Sequence, residues 1–186
     1  MQTKGKIFII SGPTGAGKTT FSQRLRTLPD IERVVTYTTR SPRDGEKNGI
    51  DYNFVSIEDF EIMISQNEML EYAQVYKNYY GSRKKDVEAI LKKGKSVLFA
   101  IDVQGAMTLK KLYQDSVLIF LVPPSLSVLK QRLLKRGDDI KITEERLKEY
   151  ESELSQAGLF NYQVKNDNLE SSLALVKSLI EKELFQ

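Results

Sequence analysis

The segment "GPTGAGKTT", from Gly12 to Thr20, constrains the fold of this 186-residue chain more than any other. It follows the apolar run "IFII" and fits the phosphate-loop pattern G-x-x-x-x-G-K-[ST] through Gly12, Gly17, Lys18 and Thr19. In that pattern backbone N–H groups and a helix N-terminus hold phosphates, the lysine reaches the β and γ oxygens, and the hydroxyl ligates Mg²⁺. The segment predicts a strand, a phosphate-binding loop and a helix, and its flanks argue against an accidental glycine-rich turn.

Strand-like and helix-like runs alternate along the rest of the chain. The apolar runs that begin at Lys6, Ser96 and Ser116 lack polar residues at every second position. This is typical of parallel strands that helices cover on both faces. Helical patterns follow each run, for example "VQGAMTLKKLY" after "SVLFAID". The pattern predicts an α/β fold with a doubly wound parallel sheet.

Two stretches depart from this alternation. The polar, turn-prone text "TTRSPRDGEKN" is followed by short strands with tyrosines, which indicates an antiparallel insertion beside the main sheet. In "RGDDIKITEERLKEY", glycine and acidic residues interrupt two helical patterns, which favours a mobile helical flap. No internal repeat or low-complexity tract is visible.

Composition excludes several chemistries. The chain has no cysteine and no histidine, so disulfides, thiolate metal sites and imidazole catalysis are excluded. No stretch approaches the length of a membrane helix, so we expect a cytoplasmic protein that does not bind membranes. The net charge is +3, and the cations lie among apolar positions of helical patterns. Solvated helix faces are favoured over a nucleic-acid groove, and no nucleic-acid partner is expected.

The apolar strand "SVLFAID" ends in Asp102, as in a Walker B strand whose carboxylate acts near the metal. A helix cap is the alternative, and "DVQGA" suits a cap. The phosphate loop and Asp102 together indicate a Mg²⁺-nucleotide site, which GTPases, ATPases and small-molecule kinases share. The chain lacks an N/T-K-x-D guanine clamp and is short for a helicase or transporter, so a kinase for a small acceptor remains.

The segment "YTTRSPRDGEKNGIDYNF" predicts the acceptor site. Arg40 and Arg43 stand in a loop with Tyr52 beyond them, so two guanidinium groups and a phenol can converge on one phosphate. Two solvated loop arginines are the alternative. The neighbouring segment "LEYAQVYKNYYGS" adds hydroxyls and a carboxylate to the same region.

Seven segments of the chain resemble those of guanylate kinases in order and spacing, from about Lys6 to the end. They are "GPTGAGKTT", "TTRSPRDGEKNGIDYNFV", "LEYAQV", "NYYGS", "IDVQGA", "PPS" and "RLLKRG". The resemblance implies ATP:GMP phosphotransfer with Mg²⁺. It also implies a P-loop kinase fold, with a parallel core, a small mixed-sheet GMP-binding insertion and a helical lid.

The resemblance also implies site residues. GMP-binding residues are Thr36, Arg40, Arg43, Tyr52, Glu71, Tyr80, Ser82 and Asp102. ATP-binding residues are Gly12, Pro13, Thr14, Gly15, Ala16, Gly17, Lys18, Thr19, Thr20, Arg132, Arg136 and Asn166, with Asp167 beside them. Catalytic residues are Lys18, Arg40, Arg43, Arg136 and Arg146. Thr19 is the expected Mg²⁺ ligand, with Asp102 acting on the metal through water.

The carboxylate of Glu71 suits guanine, because it can accept from N1–H and the 2-amino group together, whereas adenine offers neither donor. Ser82 and Thr36 hydroxyls can donate to guanine O6. Without the resemblance, an outward-facing residue on an edge strand is an equally good interpretation of Glu71.

Some positions depart from the family's usual pattern. Ala100 stands where relatives usually carry an acidic residue, Tyr37 replaces a small residue, and Thr36 replaces a serine. The segment between Arg136 and Arg146 is about one residue shorter than usual.

We expect one domain with three parts: a core (about 4–35, 83–125 and 158–186), a GMP-binding lobe (about 36–82) and a lid (about 126–157). The partners are ATP and GMP, and the chain is a monomer or homodimer. Three alternatives stay open: a non-catalytic guanylate-kinase-like module, a P-loop kinase for another acceptor, and a polyanion-binding protein.

Overall fold

The computed structural model describes residues 5–135 and 140–185 of the chain. The strands in these ranges are β1 (Ile7–Ser11), β2 (Ile31–Arg33), β3 (Tyr37–Thr38), β4 (Asn53–Phe54), β5 (Met69–Val75), β6 (Asn78–Arg83), β7 (Ser96–Ala100), β8 (Val117–Val122) and β9 (Tyr162–Lys165). The helices are α1 (Lys18–Leu25), α2 (Ile57–Ser65), α3 (Lys84–Lys92), α4 (Val103–Leu112), α5 (Leu126–Lys135), α6 (Ile140–Ser155) and α7 (Leu169–Leu184).

Five strands form a parallel sheet in the order β2-β7-β1-β8-β9, which we call the central sheet. β1 lies between β7 and β8, although these two strands come much later in the chain. Because all five strands are parallel, their carboxyl ends meet at one edge, where ligands bind in folds of this class. The phosphate loop, Asp102 and Asn166 follow β1, β7 and β9 respectively at that edge.

The core lies on both faces of the central sheet. Successive residues of β1 alternate between two apolar clusters: Ile7 and Ile9 face α3 and α4, whereas Phe8 and Ile10 face α1 and α7. The continuous apolar strands therefore reflect burial on both faces, and the predicted α/β fold with a parallel sheet is confirmed.

A second sheet, here called the small sheet, has the order β4-β3-β6-β5. The β5–β6 and β3–β6 pairs are antiparallel, but β3 and β4 are parallel. The insertion is therefore mixed, as the family resemblance implies, and the purely antiparallel insertion expected from the residue pattern is wrong. α2 connects β4 to β5, and its first turn is capped by Ser56, whose hydroxyl accepts from the Asp59 N–H at 3.0 Å.

The sequence pattern also predicts a strand over "VVTYT" and a helix over "SRKKDVEAILKKG" directly after the strand "MLEYAQVY", and the structure corrects both predictions. The run "VVTYT" does not form one strand, because the chain leaves the central sheet after Arg33 and enters the small sheet at Tyr37. The helical pattern predicted from Ser82 begins at Lys84, and Ser82 instead lies in β6, a strand that the prediction omitted. The segment "NYYGSR" was not predicted as a strand, because Gly81 interrupts the alternation of apolar and polar residues.

α5 and α6 pack against each other and form the segment predicted as a flap. The predicted interruption of the helical pattern and Arg136 lie outside the described residues. The division of the chain into core, lobe and lid stays a prediction. None of the helices in the described ranges has the length and apolar character that crossing a membrane requires.

Candidate active site

The phosphate loop has a backbone that only glycine adopts easily. Gly12 and Gly17 have φ angles of 138° and 109°, and a Cβ at Gly12 would lie 2.4 Å from the Leu121 carbonyl oxygen. Gly17 caps α1, whose first turn contains no acidic side chain, so the helix N-terminus is open to an anion. The Lys18 ammonium donates to the carbonyl oxygens of Gly12 and Pro13, the latter at 3.1 Å. The Lys18 side chain thus folds back against the phosphate loop, where it is expected to bind phosphate oxygens.

Asn166 holds this loop from the neighbouring strand end. Its amide donates to the Ala16 carbonyl at 2.8 Å, and only 3% of the residue is exposed. A Cβ at Gly17 would lie 2.9 Å from the same amide nitrogen. Arg132 in turn donates to the Asn166 backbone carbonyl at 3.3 Å. Asn166 therefore shapes the phosphate loop. Asp167 is exposed and pairs with Lys165 at 3.0 Å.

Asp102 is the N-cap of α4, because its side chain accepts from the Gly105 N–H at 2.9 Å. The helix-cap interpretation is therefore confirmed, and the residue also lines the cleft described below. No cluster of three or more carboxylates capable of holding a metal ion occurs in the described ranges. A cation here would have to combine Thr19 with phosphate oxygens and water.

The small sheet supports an arginine pair that a single carboxylate organises. One oxygen of Glu46 accepts from the Arg40 guanidinium at 2.9 Å and lies 4.0 Å from that of Arg43. The other oxygen accepts from the Arg43 backbone N–H at 2.8 Å. Glu46 therefore fixes the loop between the two cations and holds both side chains toward one side.

Aromatic rings surround the Arg40 guanidinium. Its carbon lies 5.4 Å from the ring centroid of Tyr52 and 5.7 Å from that of Phe54. The Tyr52 and Tyr80 rings meet edge to face at 6.2 Å. Burial alone would lower the pKa of Arg40, but Tyr80 and Glu46 outweigh it and the pKa is raised. Arg40 is thus a permanent cation held in a fixed direction.

The loop between β3 and β4 is tied to α1 and to β2 of the central sheet. Asp51 is buried and accepts from the Gln23 side chain and from the Lys47 N–H at 2.8 Å. Arg33 donates to the carbonyl oxygens of Ile50 and Asp51 at 2.7 and 2.6 Å. These bonds fix the segment that carries Tyr52.

Glu71 points inward although β5 is an edge strand. Only 4% of the residue is exposed, and its Oε1 accepts from the fully buried Ser82 hydroxyl at 2.8 Å. A Cβ at Gly105 would lie 2.8 Å from Oε2, so a glycine in α4 makes room for the carboxyl group. Burial raises the pKa of Glu71 to about 7, helped by the nearby Asp102 and opposed by the Ser82 hydrogen bonds. The outward-facing interpretation is wrong.

α6 brings Arg146, Glu149 and Glu153 to this region. The Glu153 carboxylate lies near the Thr14 N–H of the phosphate loop. Burial raises the pKa of Glu153 to about 7, opposed by Lys18 and helped by Glu149 and Asp102. Arg146 lies over the Tyr76 ring, 5.6 Å from its centroid.

The phosphate loop, the arginine pair and Glu71 border one cleft of about 1050 Å³. Of the predicted residues, those that line it are Thr14, Gly15, Gly17, Lys18, Thr19, Thr20, Thr36, Arg40, Arg43, Tyr52, Glu71, Tyr80, Asp102, Arg132, Arg146 and Asn166. Gly12, Pro13, Ala16 and Ser82 are buried beside it. Ala100 lines it as well, whereas Tyr37 lies outside it and packs its ring under Arg83.

Comparison with known proteins shows which family the chain belongs to. The sequence profile of the family described as guanylate kinase matches residues 4–183. The chain belongs to the guanylate kinase family. A guanylate kinase from Clostridium tetani is 42% identical over 97% of this chain and 87% of its own length. One from Neisseria gonorrhoeae is 46% identical over 91% and 83% respectively.

A solved structure agrees with this assignment. The crystal structure of guanylate kinase from Anaplasma phagocytophilum superposes with a TM-score of 0.82 and 32% identity, over 98% of this chain and 87% of that one. The fold expected for a guanylate kinase, including the mixed small sheet, is therefore confirmed.

Several residues at or near the cleft of this guanylate kinase family member were not predicted from the sequence. They are Glu46, Asp51, Tyr76, Lys135, Glu149 and Glu153. Glu46 could have been found, because it stands three residues after Arg43 in a loop with few other acids. The contacts of Tyr76 and Glu149 join residues 73 positions apart, and no local pattern signals them.

Proposed function

We propose that the chain transfers the γ-phosphoryl group of ATP to GMP, giving ADP and GDP, as expected for a member of the guanylate kinase family. One observation carries this proposal. The cleft joins an intact phosphate loop to a clamped arginine pair and a buried carboxyl group. The phosphate loop suits a donor triphosphate, the arginine pair suits an acceptor phosphate, and the buried carboxyl group suits a purine base.

On the donor side, the loop amides and the α1 N-terminus would hold the ATP phosphates. Lys18 already reaches the Gly12 and Pro13 carbonyls and would exchange them for phosphate oxygens. Arg132, Arg136 and Arg146 would add positive charge from the α5–α6 segment. Asn166 would act mainly by holding Ala16 in place.

The oxygen donors in the cleft fit Mg²⁺, which prefers few protein ligands and keeps phosphate oxygens and water. Thr19 would hold the ion, with Asp102 reaching it through water, and both line the cleft. When bound, Mg²⁺ would neutralise charge on the β and γ phosphates.

On the acceptor side, Arg40 and Arg43 would bind the GMP phosphate with the hydroxyls of Tyr52 and Tyr80. Charged, forked donors suit a phosphate dianion, and Glu46 keeps them prealigned. The guanidinium groups would thereby aim one phosphate oxygen at the donor.

Guanine would lie against Glu71, whose carboxylate would accept from N1–H and the 2-amino group. Thr36 and Asp102 line the same cleft. The Ser82 hydroxyl donates to Glu71 in this structure, so it would orient the carboxylate and would have to rotate to reach guanine O6. Adenine has no donor for this carboxylate and would leave at least one of its oxygens unpaired, which costs about 1–3 kcal/mol or more.

The chemistry needs no protein base. A GMP phosphate oxygen would attack the γ phosphorus, forming one P–O bond while the bond to the β,γ-bridging oxygen breaks and ADP leaves. The acceptor has a second pKa of about 6 and is mostly dianionic at neutral pH. A chain without histidine can therefore act by alignment and positive charge alone.

The test is ADP formation from ATP and Mg²⁺ with GMP, AMP, CMP, UMP or dTMP as acceptor. We expect turnover with GMP and much less with the others. If none of these acceptors supports turnover, the non-catalytic module is favoured. Equal turnover with AMP and GMP would contradict the assignment of Glu71 to guanine recognition. Lys18→Met should lower kcat by about 10²-fold or more while leaving the fold intact.

The remaining parts of the proposal are the Mg²⁺ requirement, a cytoplasmic location, and a monomer or homodimer without nucleic-acid or membrane partners. A chain without cysteine suits a reducing compartment. Omitting Mg²⁺ from the assay tests the first, and light scattering tests the oligomeric state.

A further inference from the structure

A contact between the small sheet and α6 is not used by the function proposed above. Tyr76 lies in the turn between β5 and β6, and its hydroxyl donates to the Glu149 carboxylate at 3.0 Å. Arg146, one helical turn before Glu149, places its guanidinium 5.6 Å from the centroid of the same ring. One tyrosine thus contacts two consecutive turns of α6.

The backbone of Tyr76 is unusual for its residue type. Its φ angle is 57°, in the left-handed region that glycine and asparagine adopt more readily than a tyrosine. Such a conformation is unfavourable for a residue with a Cβ atom and persists where surrounding contacts support it. The turn alone gives no reason for an aromatic residue, whereas the contact with α6 does.

The phenol is held in its donating form. Burial raises the pKa of Tyr76 above its ordinary value, and so do the hydrogen bond to Glu149 and the charges of Glu149 and Glu153, while Arg146 opposes them. The hydroxyl therefore donates to Glu149 throughout the physiological range.

The residues on either side of this contact border the cleft. Arg146 lines it, and so do Val75 and Tyr80, which flank the turn in β5 and β6. Glu71 lies on β5 as well. A displacement of the hairpin by an acceptor nucleotide would therefore move Tyr76, and with it the place of the Arg146 guanidinium.

We propose that Tyr76 is a positioning residue that couples occupancy of the acceptor side of the cleft to the placement of Arg146 on the donor side. The inference rests on the proposed function, because the proposed function assigns GMP to the small sheet and ATP to the phosphate loop. The ring supports the guanidinium by a cation–π contact, and the hydroxyl fixes Glu149 on the next turn.

Coupling of this kind is reciprocal. If GMP strengthens the binding of ATP by some factor, ATP strengthens the binding of GMP by the same factor. The factor is a property of the pair of sites, and a purely structural role for Tyr76 would leave it unchanged.

The decisive variants are Tyr76→Asn and Tyr76→Phe. Asparagine suits the left-handed backbone and removes both contacts, whereas phenylalanine keeps the ring and removes the hydroxyl. Lys77→Ala in the same turn is the matched control. Calorimetry gives the Kd of a non-hydrolysable ATP analogue with Mg²⁺, with and without GMP, and steady-state assays give kcat and KM.

We expect Tyr76→Asn to bring the ratio of the two Kd values close to 1 and to lower kcat about tenfold or more, with the Kd of GMP in the absence of the ATP analogue changed less than threefold. Tyr76→Phe should fall between it and the unmodified protein, and Lys77→Ala should match the latter. Unchanged ratio and kcat in Tyr76→Phe and Tyr76→Asn would overturn the inference, as would a ratio of 1 in the unmodified protein.

If Tyr76→Asn does not fold, as thermal unfolding would reveal, Tyr76→Phe decides alone, because a wild-type ratio and kcat in that variant overturn the inference. Failure of the proposed function is distinct, since the unmodified protein would then give no turnover with GMP.

Discussion

The Glu71 carboxyl group combines two opposing properties. It is buried, which favours the neutral form and raises its pKa to about 7, yet its proposed role requires the negative charge. The donors of guanine would favour ionisation and so would lower the pKa again. Binding of GMP below pH 7 would therefore release a proton from Glu71.

This linkage predicts a pH dependence of GMP use. The KM for GMP should rise by up to about tenfold per pH unit below pH 7, because the ionised fraction of Glu71 falls at that rate. Glu71→Gln should raise KM at pH 8 by roughly 10²-fold, or about 3 kcal/mol, and should relax the choice of base.

Titrating GMP by steady-state kinetics between pH 5.5 and 8.5 checks both statements. The slope left in Glu71→Gln reports the titration of the GMP phosphate itself. Equal slopes in the two proteins would contradict the role of Glu71.

Glu46 organises the two arginines of the acceptor side. It holds Arg40 at 2.9 Å and the Arg43 backbone at 2.8 Å, so Glu46→Ala would leave two neighbouring cations without a common partner. We expect KM for GMP to rise about tenfold and KM for ATP to change little. Asp44→Ala is the control, because it removes an equal charge from the same loop and leaves the Arg40–Glu46 pair intact. A lower KM for GMP in Glu46→Ala would indicate that Glu46 competes with phosphate.

Among the elements, α6 approaches the phosphate loop with a carboxylate. Glu153 lies near the Thr14 N–H, a group of the kind that binds phosphate in such loops. Glu153→Gln should lower KM for ATP several-fold at pH 8, because a charge that opposes the triphosphate is removed. Since the pKa of Glu153 is about 7, most of it is neutral at pH 6 and the difference should shrink there.

Glu151→Gln, an exposed position on the same helix, is the control for net charge. A Glu153→Gln variant with weaker ATP use at both pH values would contradict the competition and would make Glu153 a support of the loop.

Elements differ in how far the sequence predicts them. β1, β7 and β8 were predictable, because burial on both faces leaves an apolar run in the sequence. β2 and β6 were not, since β2 reads "IER" and β6 contains Gly81, and both depend on neighbours distant in the chain. The phosphate loop was predictable from the local pattern G-x-x-x-x-G-K-[ST] and the apolar run before it, whereas the Tyr76 contact with α6 depends on tertiary packing.

Across the whole molecule, charges are distributed unevenly around the cleft. Cations border it from every part of the fold: Lys18, Arg40, Arg43, Arg132, Lys135 and Arg146. Burial raises the pKa values of Glu71 and Glu153, and Asp102 lies close enough to each of them to add to the effect. The net charge is only +3, so the concentration of cations at the cleft is a local property that suits two phosphorylated substrates.

These carboxyl groups predict how stability changes with pH. Glu71 and Glu153 have pKa values of about 7 when folded and 4.5 as the ordinary value, so between those values the folded chain binds more protons than the unfolded chain. Stability from these groups is then full below pH 4.5 and is lost as pH rises through 7. For Glu71 the loss is at most about 3 kcal/mol.

The unfolding temperature of the nucleotide-free protein should therefore fall between pH 5 and pH 8. A Glu71→Gln/Glu153→Gln double variant should show a flatter profile, because neither side chain titrates, and GMP should stabilise the unmodified protein more at pH 8 than at pH 6. Differential scanning calorimetry at constant ionic strength measures these slopes. Parallel profiles for the two proteins would mean that both carboxyl groups keep their ordinary pKa values in the folded chain.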